Sequence, residues 1–251
     1  MSFCNKAHGS SKVCNRAVVV SIKNFHRGVE LEKRCGVSMD NLWLNRCLSD
    51  LGFTVEMHND LTAQEIYKLF KAESKKTVDC FIGIISTHGE EGVVFGSDGN
   101  HACRGDMLDS GVEIEMDSGS VSDEDDILSD YLSIPINTAV MYATAPGYSA
   151  FKKPSGSVFI QTLCDLLEKD GGRDLEITRL MTRLNYQIAY HFQASGGDLE
   201  GKKAMPCFAT RLTEEVYPFR DSQRSTEELS GKLATTALVE GSCKIRKRSI
   251  S

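Results

Sequence analysis

The sequence predicts an α/β fold in which a mostly parallel central sheet is flanked by helices. Two observations carry this expectation. Strand and helix patterns alternate through residues 16–86 as strand, helix, strand, helix, strand, an order that builds parallel strands joined by right-handed crossovers. The first strand pattern, RAVVVSIKNF (16–25), is a continuous β-branched run, as expected of a strand covered on both faces.

The elements follow in order. SMDNLWLNRCLSDLG (38–52) reads as a helix: Ser38 can cap it, Leu44, Cys47, Leu48 and Leu51 recur at helical spacing, and Gly52 ends it. FTVEMH (53–58) alternates Phe53, Val55 and Met57, as a half-buried strand does. In LTAQEIYKLFKAES, Thr62 and Glu65 form a capping-box pattern ahead of an Ile66, Leu69, Phe70 stripe. VDCFIGIIS (78–86) is the most hydrophobic strand pattern and is expected at the centre of the sheet. The functional crevice of such a sheet lies beyond the carboxyl ends of its strands, which here means STHGEEG (86–92). VVFGSDGN reads as a hairpin with a Gly-Ser-Asp-Gly turn, leading directly into HACRG, which the sequence places on a loop. NTAVMYATAPG (137–147) reads as a strand closed by a Pro-Gly turn. SGSVFIQTLCDLLEKDGG reads as a helix with Phe159, Leu163, Leu166 and Leu167 inward and Gly171 closing it. DLEITRLMTRLNYQIAYHFQAS reads as a longer helix capped by Asp174, with Leu180, Leu184, Ile188 and Phe192 on one face. AMPCFATRL (204–212) is the last strand, an edge strand by its Pro206.

Composition narrows the function classes. A net charge of −6 does not favour nucleic acid as a partner, and no run of about 18 apolar residues predicts a membrane span. The opening MSFCNKAHGSSKVCNR lacks an apolar leader core, which argues against secretion. Nine cysteines without a CxxC pair suit reduced thiols in a cytoplasmic protein. Between Asp106 and Asp130 lie ten acidic residues and no Lys or Arg, a stretch that repels itself and reads either as a solvated loop or as a segment open to proteolysis. The 220–251 tail is polar and ends in a basic cluster, read as a solvated end or a weak localisation signal.

The candidate chemistry lies at His88 and Cys103. A cysteine nucleophile needs its thiolate, and an imidazole can take that proton and later return it to the leaving amine. Hydrolysis also needs backbone N–H groups aimed at the developing oxyanion, best supplied where glycine lets the main chain approach. His88-Gly89 and Cys103-Arg104-Gly105 hold those parts.

SIKNFH, KRCGVSMDN, NDLTAQEIYKLF, STHGEEG, ACRG, MDSG, YATAPGY, SGSVFIQTLC and MPCFATRLTEEVY occur in one order. Over about 16–219 this set resembles the caspases, in particular the short-prodomain executioner type. The resemblance implies a three-layer caspase-like fold and a cysteine endopeptidase cleaving proteins after Asp in apoptotic signalling. It implies Cys103 as nucleophile, His88 as general acid/base, and the N–H groups of Gly89 and Cys103 as oxyanion donors. Arg34, His101 and Lys152 are the implied pocket residues for the substrate aspartate. It further implies a zymogen cut after Asp117 by an upstream protease, with a flexible 1–15, a large-subunit region 16–117, an acidic linker 118–136, a small-subunit region 137–219 and a loose tail 220–251. Pairing through 205–212 would make a homodimer, or a heterodimer with other caspases. No metal or organic cofactor is implied, and no nucleic-acid or membrane partner.

Three departures accompany the resemblance. Only 15 residues separate His88 from Cys103, where the family signature expects about 50. The shortfall would normally hold a crossover helix and a central strand, so one central strand is expected to be missing. Secondly, His101 stands where the family has Gln. Thirdly, Lys152 follows Phe151 where the family has Arg, which keeps the charge and loses the planar fork. These departures leave a second reading open: a non-catalytic, caspase-like interaction or decoy protein, or a splice form unable to assemble its active site.

Overall fold

A computed structural model describes residues 14–90, 93–103, 134–145, 150–169, 171–195 and 199–220. The acidic stretch, Asp117, nearly all of the expected linker and the C-terminal tail lie outside the described residues.

Three strands form the parallel sheet: β1 (Asn15–Ser21), β2 (Thr54–Asn59) and β3 (Cys80–Ser86), in the order β2-β1-β3. The continuous apolar run of β1 has a direct cause. Ala17 and Val19 pack into one hydrophobic cluster, Val18 and Val20 into another on the opposite face, and all four are fully buried. The first cluster holds α1 (Val37–Asp50), α3 (Val158–Glu168) and α4 (Ile177–His191) against the sheet through Leu44, Leu48, Cys164, Leu167, Leu184 and Ile188. The second holds α2 (Ala63–Glu73) through Ala63 and Ile66. Helices on both faces of one sheet give the expected three layers, with segments from both expected subunits in one core. At about 1.5–3 kcal/mol per buried aliphatic side chain, β1 is the most strongly anchored strand.

The centre of the sheet is therefore β1. β3 is an edge strand among the described residues, with Phe81 and Ile85 each 39% exposed. Hydrophobicity marked β3 as central because its residues suit a strand flanked on both sides, but among the described residues it is flanked only by β1. β7 (Ala139–Tyr142) does not close that gap: it pairs antiparallel with β10 (Cys207–Thr210) as a separate ribbon.

Three short strands, β4 (Gly89–Glu90), β5 (Val93–Phe95) and β6 (His101–Cys103), form an antiparallel meander after β3. Cys103 thus ends a strand and does not lie on a loop, because the Gly96–Asn100 turn returns the chain in register with β5. A last hairpin pairs β8 (Lys152–Lys153) with β9 (Gly156–Ser157).

Two caps differ from expectation. α1 begins after Gly36 in the left-handed region (φ 74°) with no side-chain cap, because Ser38 already lies inside the helix. Asp174 belongs to a 3-10 turn, and the α4 cap is Glu176, whose carboxylate accepts from the Thr178 and Arg179 N–H groups. The Thr62–Glu65 capping box is formed. In α3 the fully inward residues include Ile160 and Cys164, while Phe159 and Leu163 are only partly buried. No helix among the described residues is long and apolar enough to cross a membrane.

At the far end of the sheet, Glu73 is buried and bridges Arg16 (2.5 Å) and Lys76 (2.6 Å), while Arg16 also pairs with Glu56. The hydrogen bond from Arg16 holds the Glu73 carboxyl down at about 2. A depressed carboxylate contributes stability above its unfolded pKa of about 4.3 and loses it as the pH falls toward the folded value. Arg16→Met is expected to destabilise by about 1–2 kcal/mol at pH 7, as for a partly screened pair. In urea titrations, the gap between wild type and variant is expected to shrink steadily as the pH falls below 4.3 and to be nearly gone near the folded value of about 2.

Candidate active site

The chain leaves β3 at Ser86 and is tied at once to the meander. Thr87 Oγ1 donates to Phe95 O (2.7 Å), and the Phe95 N–H donates to His88 O (3.0 Å). The His88 ring is held from two sides. It stacks on Phe25 with centroids 5.5 Å apart, and its Nε2 lies 3.0 Å from Glu32 O. A carbonyl only accepts, so Nε2 carries the proton and Nδ1 of the neutral ring is left as the basic nitrogen. This arrangement orients a base.

Backbone pairing also fixes where the expected oxyanion donors point. His88 and Phe95 form a hydrogen-bonded pair, so the next pair, Gly89 with Val94, is non-bonded and the Gly89 N–H faces away from β5. A Cβ on Gly89 would lie 2.8 Å from Val93 O, so the position requires glycine. By the same alternation Ala102 faces β5 and the Cys103 N–H faces away from it, on the opposite edge of the meander. Two strand spacings, about 10 Å, separate these donors, and they diverge. An oxyanion needs both donors within about 3 Å of one atom. Counted along the register, the Cα atoms of His88 and Cys103 are about 12 Å apart. The paired form of β6 therefore brings together neither the oxyanion hole nor the dyad.

The residues expected to line the carboxylate pocket are held differently. Arg34 donates Nη1 to Ile22 O (2.7 Å) and Ser86 O (2.6 Å), and Nη2 to Ser86 Oγ (3.1 Å). These bonds use three of the five guanidinium N–H groups and leave two for a ligand. Burial lowers the Arg34 pKa. The Lys152 ammonium lies 3.1 Å from the fully buried Asp40 carboxylate, whose other oxygen accepts from Ser157 N (2.7 Å). Burial and then the Arg34 charge push the Lys152 pKa down, so the two cations share one electrostatic neighbourhood. His101 is elsewhere: exposed on β6, its ring edge meets Phe95 at 5.0 Å.

The structure thus brings Arg34 and Lys152 together, orients His88, and places His101 and Cys103 on the meander. Asp117 lies outside the described residues. Sequence reasoning missed Asp40, although a signal existed. Asp40 stands four residues before Leu44, on the apolar stripe of its helix, where a carboxylate requires a partner. The Glu32 carbonyl and Phe25 left no such signal.

Comparison with known proteins shows the family. The family model described as Caspase domain matches residues 14–102 and 101–217. Its two segments meet at His101–Ala102, where the interval falls short. Caspase-3 of Mesocricetus auratus is 34% identical over 233 residues, covering 80% of this chain and 82% of that protein. Caspase-7 of Gallus gallus is 31% identical over 243 residues, covering 82% and 77%. With the family model spanning both core halves and relatives of this identity along four-fifths of its length, the chain belongs to the caspases, a family of cysteine-type endopeptidases.

Proposed function

We propose that the protein is a cysteine endopeptidase of low turnover that cleaves protein substrates after aspartate in apoptotic signalling in the cytoplasm. Cys103 is the nucleophile, His88 the acid/base, and the Gly89 N–H an oxyanion donor. Arg34 grips the substrate carboxylate with support from Lys152, and His101 lines the pocket only once β6 moves. Cleavage after Asp117 by another protease precedes activity, and the 205–212 segment pairs with a second copy or another caspase.

The observation that supports this reading best is Arg34, held by three bonds with two donors to spare and adjoining the oriented His88 through Ser86. Low turnover follows from β6. To reach His88, Cys103 must leave its pairing. That costs roughly two backbone hydrogen bonds at about 0.5–1.5 kcal/mol each, together with the Phe95–His101 contact at about 0.5–1.5 kcal/mol. The total of roughly 1.5–4.5 kcal/mol is a rate penalty of about 10- to 2000-fold.

The divergence of the Gly89 and Cys103 N–H groups favours a second reading, in which the chain binds aspartyl segments or caspase subunits without cutting. Turnover of a peptide ending in Asp before a reporter, beside a Cys103→Ala control, decides between them. The protease reading expects slow turnover that the substitution abolishes. Equal rates in both proteins would leave only the binding reading.

A further inference from the structure

We propose that Cys47 and Cys164 are a modification site, forming an intramolecular disulfide across α1 and α3 when the protein meets a peroxide. Both thiols are free and each side chain is 1% exposed in the main core cluster, among Leu44, Leu48, Ile160 and Leu167. The two helices pack directly on one another, and the two thiols share a hydrogen bond. Packed helix axes lie about 8–10 Å apart and each Cα stands about 2.3 Å off its axis, so facing Cα atoms approach to about 3.4–5.4 Å. A disulfide needs about 4.4–6.8 Å. The upper part of the packing range falls within the span that the bond requires.

Either thiol can lead, since the one that keeps its proton donates to the other's thiolate, and the chemistry is the same with Cys47 first. The Cys47 thiolate attacks one oxygen of hydrogen peroxide, forming a sulfenic acid and releasing hydroxide, which takes up a proton to become water. Cys164 sulfur then displaces the sulfenic hydroxyl as a second water and gives up its own proton. Two thiols lose two electrons and two protons, and the peroxide is reduced to two waters. Burial makes the reaction slow, since the oxidant must penetrate the core. The bond would span the acidic linker, so a chain cut there would remain covalently joined under oxidising conditions and separate under reducing ones.

The test uses the full chain, treated with hydrogen peroxide over hours, alkylated, digested without reductant and analysed by mass spectrometry. The expected product is a Cys47 peptide joined to a Cys164 peptide, two hydrogens lighter than their sum. It is expected to disappear with dithiothreitol, to be absent from Cys164→Ser, and to accompany a rise of several degrees in the wild-type Tm. Cys14 and Cys35 are exposed and serve as internal controls for oxidation. Oxidation of those two while Cys47 and Cys164 stay free overturns the proposal. So does a Cys47–Cys164 yield no higher than that of other pairings, or no higher than from urea-unfolded chain.

Discussion

Arg34→Ala is expected to lower kcat/KM toward aspartyl peptides by at least about 100-fold, mainly through KM, and to destabilise the fold as well. The two effects come from different halves of one guanidinium. The two uncommitted N–H groups would make charge-assisted bonds to the substrate carboxylate, each worth about 1.5–3 kcal/mol. The committed ones tie Ile22 O and Ser86 O, at the ends of β1 and β3, to one cation. Losing a donor from a partly buried carbonyl costs about 1–3 kcal/mol, so the alanine variant should unfold at lower urea concentration. Arg34→Lys separates the contributions: one ammonium can satisfy a carbonyl and restore part of the stability, yet it offers no bidentate fork. Competition between peptides ending in Asp and in Asn reads the substrate half alone. Wild type should prefer Asp strongly and Arg34→Lys weakly. An unchanged preference would remove Arg34 from substrate recognition and leave it a structural clamp. Lys152→Arg runs the other way, because the present ammonium is already partnered by buried Asp40 and a guanidinium could hold Asp40 and still present donors.

How much of this was legible in the sequence depends on whether the cause was local or distant. The β-branched run of β1, the Thr62–Glu65 box and the apolar stripe of α4 are local patterns, and each appears where its period predicts, while in α3 the inward face is turned toward Ile160 and Cys164. Two-sided burial of β1 follows from the same run. The helix start at Gly36 was not legible, because it is set from outside. A Cβ there would lie 2.3 Å from Lys153 O, on a hairpin over 100 positions away in the chain. The rank of β3 failed for a related reason, since hydrophobicity reports the surroundings a strand suits and not whether its neighbour is present. In the site, residue types made His88 a candidate, and the resemblance made Arg34 and Lys152 candidates. The direction of the Gly89 and Cys103 N–H groups depends on hydrogen-bond parity in the meander, which a shift of one residue would reverse.

Grafting the missing interval is expected to produce the largest gain. The insert is the stretch that separates the corresponding positions in the Mesocricetus auratus relative, placed between Asn100 and His101, and kcat/KM should rise by about 100-fold or more. The argument starts at the exposed edge of β3. A crossover helix and strand would pair there and cover Phe81 and Ile85, gaining about 1.5–3 kcal/mol for each side chain fully buried. Parallel neighbours end on the same side of a sheet, so Cys103 would leave the meander and emerge beside the Ser86–His88 exit. The Cys103 and Gly89 N–H groups would then converge on one face, and the thiol would be held by a rigid strand. A misplacement of about 1 Å already costs roughly 100-fold, whereas the present register leaves about 12 Å between the two Cα atoms. Cys103→Ala in the grafted chain should return turnover to background. Decreased binding of an apolar dye would report that the β3 edge has been covered. If the edge is covered and turnover stays at the ungrafted level, the absent strand is not what restrains catalysis, and the departures at His101 and Lys152 carry the deficit instead.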